Sequence, residues 1–117
     1  MDIQKKMLSM TVYKLGDIVL IGFPHTDFRN ISKRPAIVLY DSGDQDVLVA
    51  RITSQVYTTE TDYKIRNWKE CGLIKDSYIR LGKQATIEKA YVVKQLGILD
   101  DLEIEKLQAI LKIIFKL

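Results

Sequence analysis

"GFPHTDFRNISKRPAIVLY", Gly22–Tyr40, joins an apolar run ending at a proline to a polar, partly basic stretch, and then to a second apolar run that begins directly after Arg34. Proline holds the residue before it in extended backbone and fixes its own φ, so Arg34 and Pro35 are expected to open a strand. Upstream, "DIVLIGF" (Asp17–Phe23) is β-branched and apolar at successive positions. It reads as a strand buried on both faces. "PAIVLY" (Pro35–Tyr40) reads the same way. "DSGDQD" is turn chemistry, and "VLVARITS" (Val47–Ser54) follows as a third strand. The three make a meander, and the fold class is mainly β.

Further along, "TDYKIR" (Thr61–Arg66) and "SYIRLGK" (Ser77–Lys83) alternate in polarity and read as half-exposed strands. "NWKECGL" between them reads as a turn or short helical piece. "ATIEKAYVVKQLGIL" is assigned a strand followed by a helical turn. Leu107, Ile110, Leu111 and Ile114 recur at helical spacing, and Asp100 with Glu103 makes a capping-box-like start. These predict one amphipathic C-terminal helix from about Asp101 to Phe115. Short strands plus one helix predict a small, strongly bent sheet or barrel covered by that helix, an α+β arrangement in which β dominates.

The 117 residues suit one domain, and 47% hydrophobic residues supply one core. Lys and Arg number 18 against 15 Asp and Glu, a net charge of +3 that permits nucleic-acid binding without establishing it. The lone Cys71 rules out an internal disulfide, which suits a reducing cytosol. It reads as a small buried apolar residue. "MDIQKKMLSMTVYK" lacks a signal peptide's apolar region, and no apolar run is long enough to span a bilayer. The expected location is the cytoplasm, with no membrane association. Met7 and Met10 are alternative starts, so residues 1–10 are expected to be a loose extension.

The guanidinium of Arg34 is permanently charged and forked, a shape that fits phosphate. On spacing alone, an ordinary surface arginine at a strand edge is the commoner reading. Thr53, in "RITSQ", ends the third strand, and β-branching aims its hydroxyl. A meander sets the start of one strand beside the end of the next, so Arg34 and Thr53 are expected to be neighbours. His25, the only histidine, stands where a general base could act, although a loop histidine is more often simply solvated. No His, Cys, Asp or Glu residues have metal-ligand spacing, and there is no phosphate-binding or dinucleotide loop, so neither metal nor cofactor is expected. From Lys64 to Lys94, cations (Lys64, Arg66, Lys69, Lys75, Arg80, Lys83) interleave with Tyr63, Trp68 and Tyr78. That pattern fits a grip on single-stranded nucleic acid, and equally a solvated face around a dimer contact. Acidic residues gather instead at Asp100, Asp101, Glu103 and Glu105.

"GDIVLIGFPHTD", "KRPAIVL" and "ARITSQ" occur in that order, ahead of "SYIRLGKQATIEKAYVVKQLGIL" with its Thr-x-(Asp/Glu)-Lys and Leu-Gly-x-Leu motifs. Together they resemble the MazF/PemK family of toxin endoribonucleases over roughly Leu15–Leu99. The resemblance implies an SH3-like β-barrel (CcdB/MazF/PemK-like) with a C-terminal helix, one domain over residues 1–117, working as a homodimer. It implies metal-independent cleavage of single-stranded RNA or mRNA by 2′-hydroxyl attack, with inhibition of translation and growth. It also implies a cognate antitoxin, and a DNA operator bound only through the antitoxin complex. The family's catalytic Arg and Thr fall on Arg34 and Thr53. RNA contacts are assigned to His25, Arg29, Lys33, Ser54, Gln55, Arg80, Lys83 and Gln84. The chain departs from the family in "DFRNISK", where relatives are often glycine-rich, and at Ala85, where many carry an arginine before the threonine. That RNA contact is expected to be either missing or supplied by Lys83 or Gln84. The alternatives are a non-catalytic nucleic-acid- or protein-binding SH3-like module and a CcdB-like gyrase poison. The Arg-Pro and Ile-Thr-Ser pair argues against the poison, which has no use for a phosphate clamp.

Overall fold

The structure, a computed structural model, describes residues 11–24 and 31–117. The elements are β1 (Asp17–Pro24), β2 (Ile31–Tyr40), β3 (Asp46–Thr53), β4 (Asp62–Lys64), β5 (Tyr78–Glu88), a short 3₁₀ turn (Lys89–Tyr91), β6 (Val92–Ile98) and α1 (Asp101–Phe115). All strand pairs are antiparallel, in the order β4-β5-β3-β2-β1-β6. The mainly β fold with one C-terminal helix is as expected. The barrel is open: among the described residues β4 and β6 are the two ends of the sheet and do not pair with each other.

The apolar runs look continuous because alternate residues serve two packed layers. Ile18, Ile37, Leu39, Ala50, Ile52, Ile79 and Leu81 face the layer beneath α1, with Leu107. Val19, Ile21, Ala36, Val38, Val47 and Val49 face the opposite layer with Tyr13 and Val92. Ile18, Ile37, Ile79, Leu81 and Leu107 have no solvent exposure at all.

Several expected boundaries are corrected. β2 starts at Ile31, so Arg34 lies inside a strand instead of opening it. Proline is tolerated there because β2 pairs with β3 only from Ala36, opposite Arg51, onward. β4 keeps only Asp62–Lys64 of the expected Thr61–Arg66. β5 extends to Glu88, and a sixth strand follows the helical turn.

Helix α1 spans the predicted residues, and Asp100 caps it by accepting the Glu103 N–H at 2.9 Å. The reciprocal half of the capping box is absent. Glu103 is 2% exposed, and its carboxylate instead accepts the Arg66 N–H at 2.8 Å and the Tyr63 hydroxyl at 3.0 Å. One end of the helix is thereby tied to the segment between β4 and β5. Burial, and then the Glu103 carboxylate, push the Tyr63 phenol well above its ordinary range, so it stays a donor. Cys71 is buried as expected, and burial raises its thiol, which keeps it protonated and inert.

At the far end of the sheet, Lys89 and Asp41 form a 2.9 Å ion pair with both side chains fully buried. Asp41 also accepts the Tyr13 N–H at 2.7 Å, and Lys89 donates to the Thr11 carbonyl at 2.8 Å. The stretch 11–14 is strapped across the layer that holds Tyr13.

Candidate active site

With Ala36 opposite Arg51, the same register carried two residues further sets Arg34 opposite Thr53. Both line a cleft of about 260 Å³, together with Lys33, Ser54, Lys75 and Ser77. The extended backbone that Pro35 imposes holds Arg34 in this strand, exposed, with no ion-pair partner among the described residues. Thr53 is half-buried, and its Oγ1 accepts the Gln55 N–H at 3.2 Å. With one lone pair engaged by the backbone, the hydroxyl proton is free to donate into the cleft.

The turn that carries Thr53 is braced from behind. Gln55 Oε1 accepts the Tyr57 hydroxyl at 3.3 Å. The Tyr57 ring lies 3.6 Å from the Arg80 guanidinium, and Arg80 Nε donates to Asp62 Oδ1 at 3.1 Å. Thr59 donates to Asp62 through its hydroxyl at 2.6 Å and its N–H at 3.1 Å. Burial works against the Asp62 charge, but the hydrogen bonds from Thr59 and Arg80 outweigh it and hold the carboxyl below its ordinary value. Arg80, expected among the RNA contacts, is paired with Asp62 and stacked on Tyr57 and is not among the residues lining this cleft.

Arg34 and Pro35 also line a second, mostly apolar cavity of about 430 Å³ with Arg51, Lys83, Val49 and Ala85. Arg51 and Lys83 are the cations that line it beside Arg34 and Ala85. Gln84 is turned back on its own strand, donating to the Leu81 carbonyl at 2.8 Å. Lys33 and Ser54 reach the first cleft, and Gln55 is exposed at its turn. His25 and Arg29 lie outside the described residues. The sequence reading passed over Ile74, Lys75 and Ser77 as site residues, although Lys75 belongs to the run of cations noted from Lys64 to Lys94. It also passed over Arg51, whose only signal was its place at the head of "RITSQ". Among the described residues no three His, Cys, Asp or Glu side chains gather, and no helix is long and apolar enough to cross a membrane.

The family model described as "PemK-like, MazF-like toxin of type II toxin-antitoxin system" matches residues 14–115. The chain belongs to this family of toxins. Similar solved structures include an endoribonuclease from Mycobacterial species, with a TM-score of 0.73 at 16% identity, covering 92% of this chain and 95% of that one. The Mycobacterium tuberculosis toxin MazF-mt6 aligns with a TM-score of 0.72 at 22% identity, covering 86% of this chain and 97% of that one. A MazE-MazF structure from Deinococcus radiodurans gives 0.72 at 12% identity, covering 92% and 99%. At these identities the likeness is one of fold. No curated protein sequence matches the chain.

Proposed function

We propose that this toxin cuts single-stranded RNA in the Arg34–Thr53 cleft. The observation that carries the reading is the meeting of a forked cation and an aimed hydroxyl donor in one cleft, on adjacent strands of a toxin-family fold. RNA brings its own nucleophile. The 2′-oxygen bonds to phosphorus as the bond from phosphorus to the 5′-oxygen breaks, leaving a 2′,3′-cyclic phosphate and a 5′-hydroxyl. The 2′-hydroxyl loses its proton and the departing 5′-oxygen gains one. Arg34 neutralises the charge that builds on the non-bridging oxygens, and Thr53 donates to one of them to hold the phosphate in line. Arginine's pKa lies above ~12, so its role here is electrostatic rather than basic. The described lining carries Lys33, Arg34 and Lys75 and no carboxylate or imidazole. Because these side chains supply both charge and donor, cleavage is expected to persist in EDTA and to leave cyclic phosphate ends. Loss of activity with EDTA, or efficient cutting of an all-deoxy strand, overturns the reading.

The protein acts in the cytoplasm as a homodimer, beside an antitoxin that occupies the same cleft, and any operator contact comes through that complex. A disordered antitoxin segment with acidic and apolar side chains suits three cations beside apolar walls. In a titration, an antitoxin peptide and an uncleavable RNA analogue should compete, and Arg34→Ala should weaken both. Independent, simultaneous binding of the two refutes a shared cleft. Light scattering on the free toxin reports the dimer.

A further inference from the structure

We propose that Ile74 and Lys75 form a substrate-selecting wall of this cleft, Ile74 packing on a nucleobase and Lys75 holding a phosphate next to the one that is cut. The proposal rests on the RNA-cleaving reading above and names the part of the site that chooses the sequence.

Ile74 is 88% exposed, yet its neighbour Leu73 is buried at 8% and Cys71 at 3%. A single exposed apolar residue is ordinary on a protein surface. Two observations set this one apart. Of the exposed large apolar side chains among the described residues, Ile74 is the one that lines the Arg34–Thr53 cleft. It is also presented by a segment that is fixed from several sides. The Leu73 N–H donates to the Trp68 carbonyl at 3.1 Å, and the Ile65 N–H to the Ser77 carbonyl at 3.0 Å. Ser77 Oγ donates to the Lys75 carbonyl at 2.8 Å, and Glu103 of α1 grips the Arg66 N–H and the Tyr63 hydroxyl. Gly72, at φ +80°, lies so close to β6 that a Cβ there would collide with the Leu96 carbonyl. An apolar side chain held rigidly against solvent loses little entropy when a base covers it.

Lys75 adds charge. The nearest carboxylate in sequence, Asp76, is paired with Lys64 at 3.4 Å, and Lys75 has no ion-pair partner among the described residues. It lines the same cleft as Lys33 and Arg34, so a strand lying there meets three cations. Isoleucine offers no hydrogen bond, so it selects a base by shape and area, while lysine binds any phosphate.

The test uses the full chain and two readouts. One maps cut ends on a long defined RNA; the other measures binding of a fully 2′-O-methylated oligonucleotide across a salt series. Ile74→Ala should redistribute the cut positions and lower kcat/KM about fivefold or more, since each apolar carbon buried against a base contributes on that scale. Lys75→Ala should flatten the slope of log Kd against log salt by about 0.7, one phosphate contact on a single strand. Both side chains point to solvent, so the unfolding midpoints should match the wild type. An Ile98→Ala variant, exposed but away from the cleft, is the control and should change neither readout. Unchanged cut maps, affinities and salt slopes in the two wall variants overturn the proposal. A wild type that binds the oligonucleotide but cuts nothing overturns the cleavage reading instead, and the binding data still decide whether the wall exists.

Discussion

Arg34→Ala is expected to lower single-turnover cleavage by about 100-fold or more, with Thr53→Ala close behind, the usual cost of removing one preorganised charge or donor from a reacting centre. Both variants should keep the wild-type unfolding curve. Arg34 is exposed and Thr53 half-buried, so neither change opens a cavity in the apolar layers. Arg34→Lys should recover little, because a point charge cannot bridge two phosphoryl oxygens as a guanidinium does. His25→Ala should cleave nearly as well as the wild type. If it is as inactive as Arg34→Ala, the roles assigned to the cleft are wrong and His25 is the base.

Asp41→Ala should destabilise the fold by about 3–5 kcal/mol, because it strands the Lys89 ammonium in a site with no solvent contact. It also leaves the Tyr13 N–H without its acceptor. Replacing both partners by apolar residues, Asp41→Leu with Lys89→Met, should recover much of that loss, since no charge is then left unpaired. Urea unfolding measures both, and a single variant with a wild-type midpoint refutes the role of the pair. The pH dependence has a definite sign. Burial opposes the Asp41 charge, but the hydrogen bonds from Lys89 and from the Tyr13 and Gly43 N–H groups outweigh it, so its pKa is lowered from the ordinary 3.8. A depressed carboxyl contributes stability that is complete above its unfolded value and is lost as pH falls through its folded one. Asp62 adds in the same direction. The midpoint should therefore be insensitive to these groups above about pH 5 and fall in acid below about pH 4, less steeply in the double variant.

Much of this architecture was written in local pattern. The three apolar runs became β1, β2 and β3 because each is covered on both faces, and α1 matched its spacing and its cap. β6 was missed for the opposite reason. It is an edge strand that exposes Val93, Lys94 and Gln95 in succession, so no apolar run marks it. The second half of β5 is similarly exposed from Gly82 to Ala85, apart from Gln84. The meeting of Arg34 with Thr53 followed from meander geometry alone. The arrival of Ile74 and Lys75 in the same cleft did not, because no periodicity marks the segment between β4 and β5, and the contact of Glu103 with Tyr63 that flanks it spans 40 residues. The pairing of Arg80 was not legible either, since composition places a cation near aromatics without saying whether Asp62 or solvent receives it.

The clamp that Glu103 places on the segment between β4 and β5 also orders events in time. A ribosome delivers Arg34 and Thr53 before Ile74 and Lys75, and α1 after both. The Glu103 contact to that segment forms only when α1 has emerged and docked Leu107 into the core. A nascent chain of this toxin carries Arg34 and Thr53 before α1 is there to hold the segment that completes their cleft.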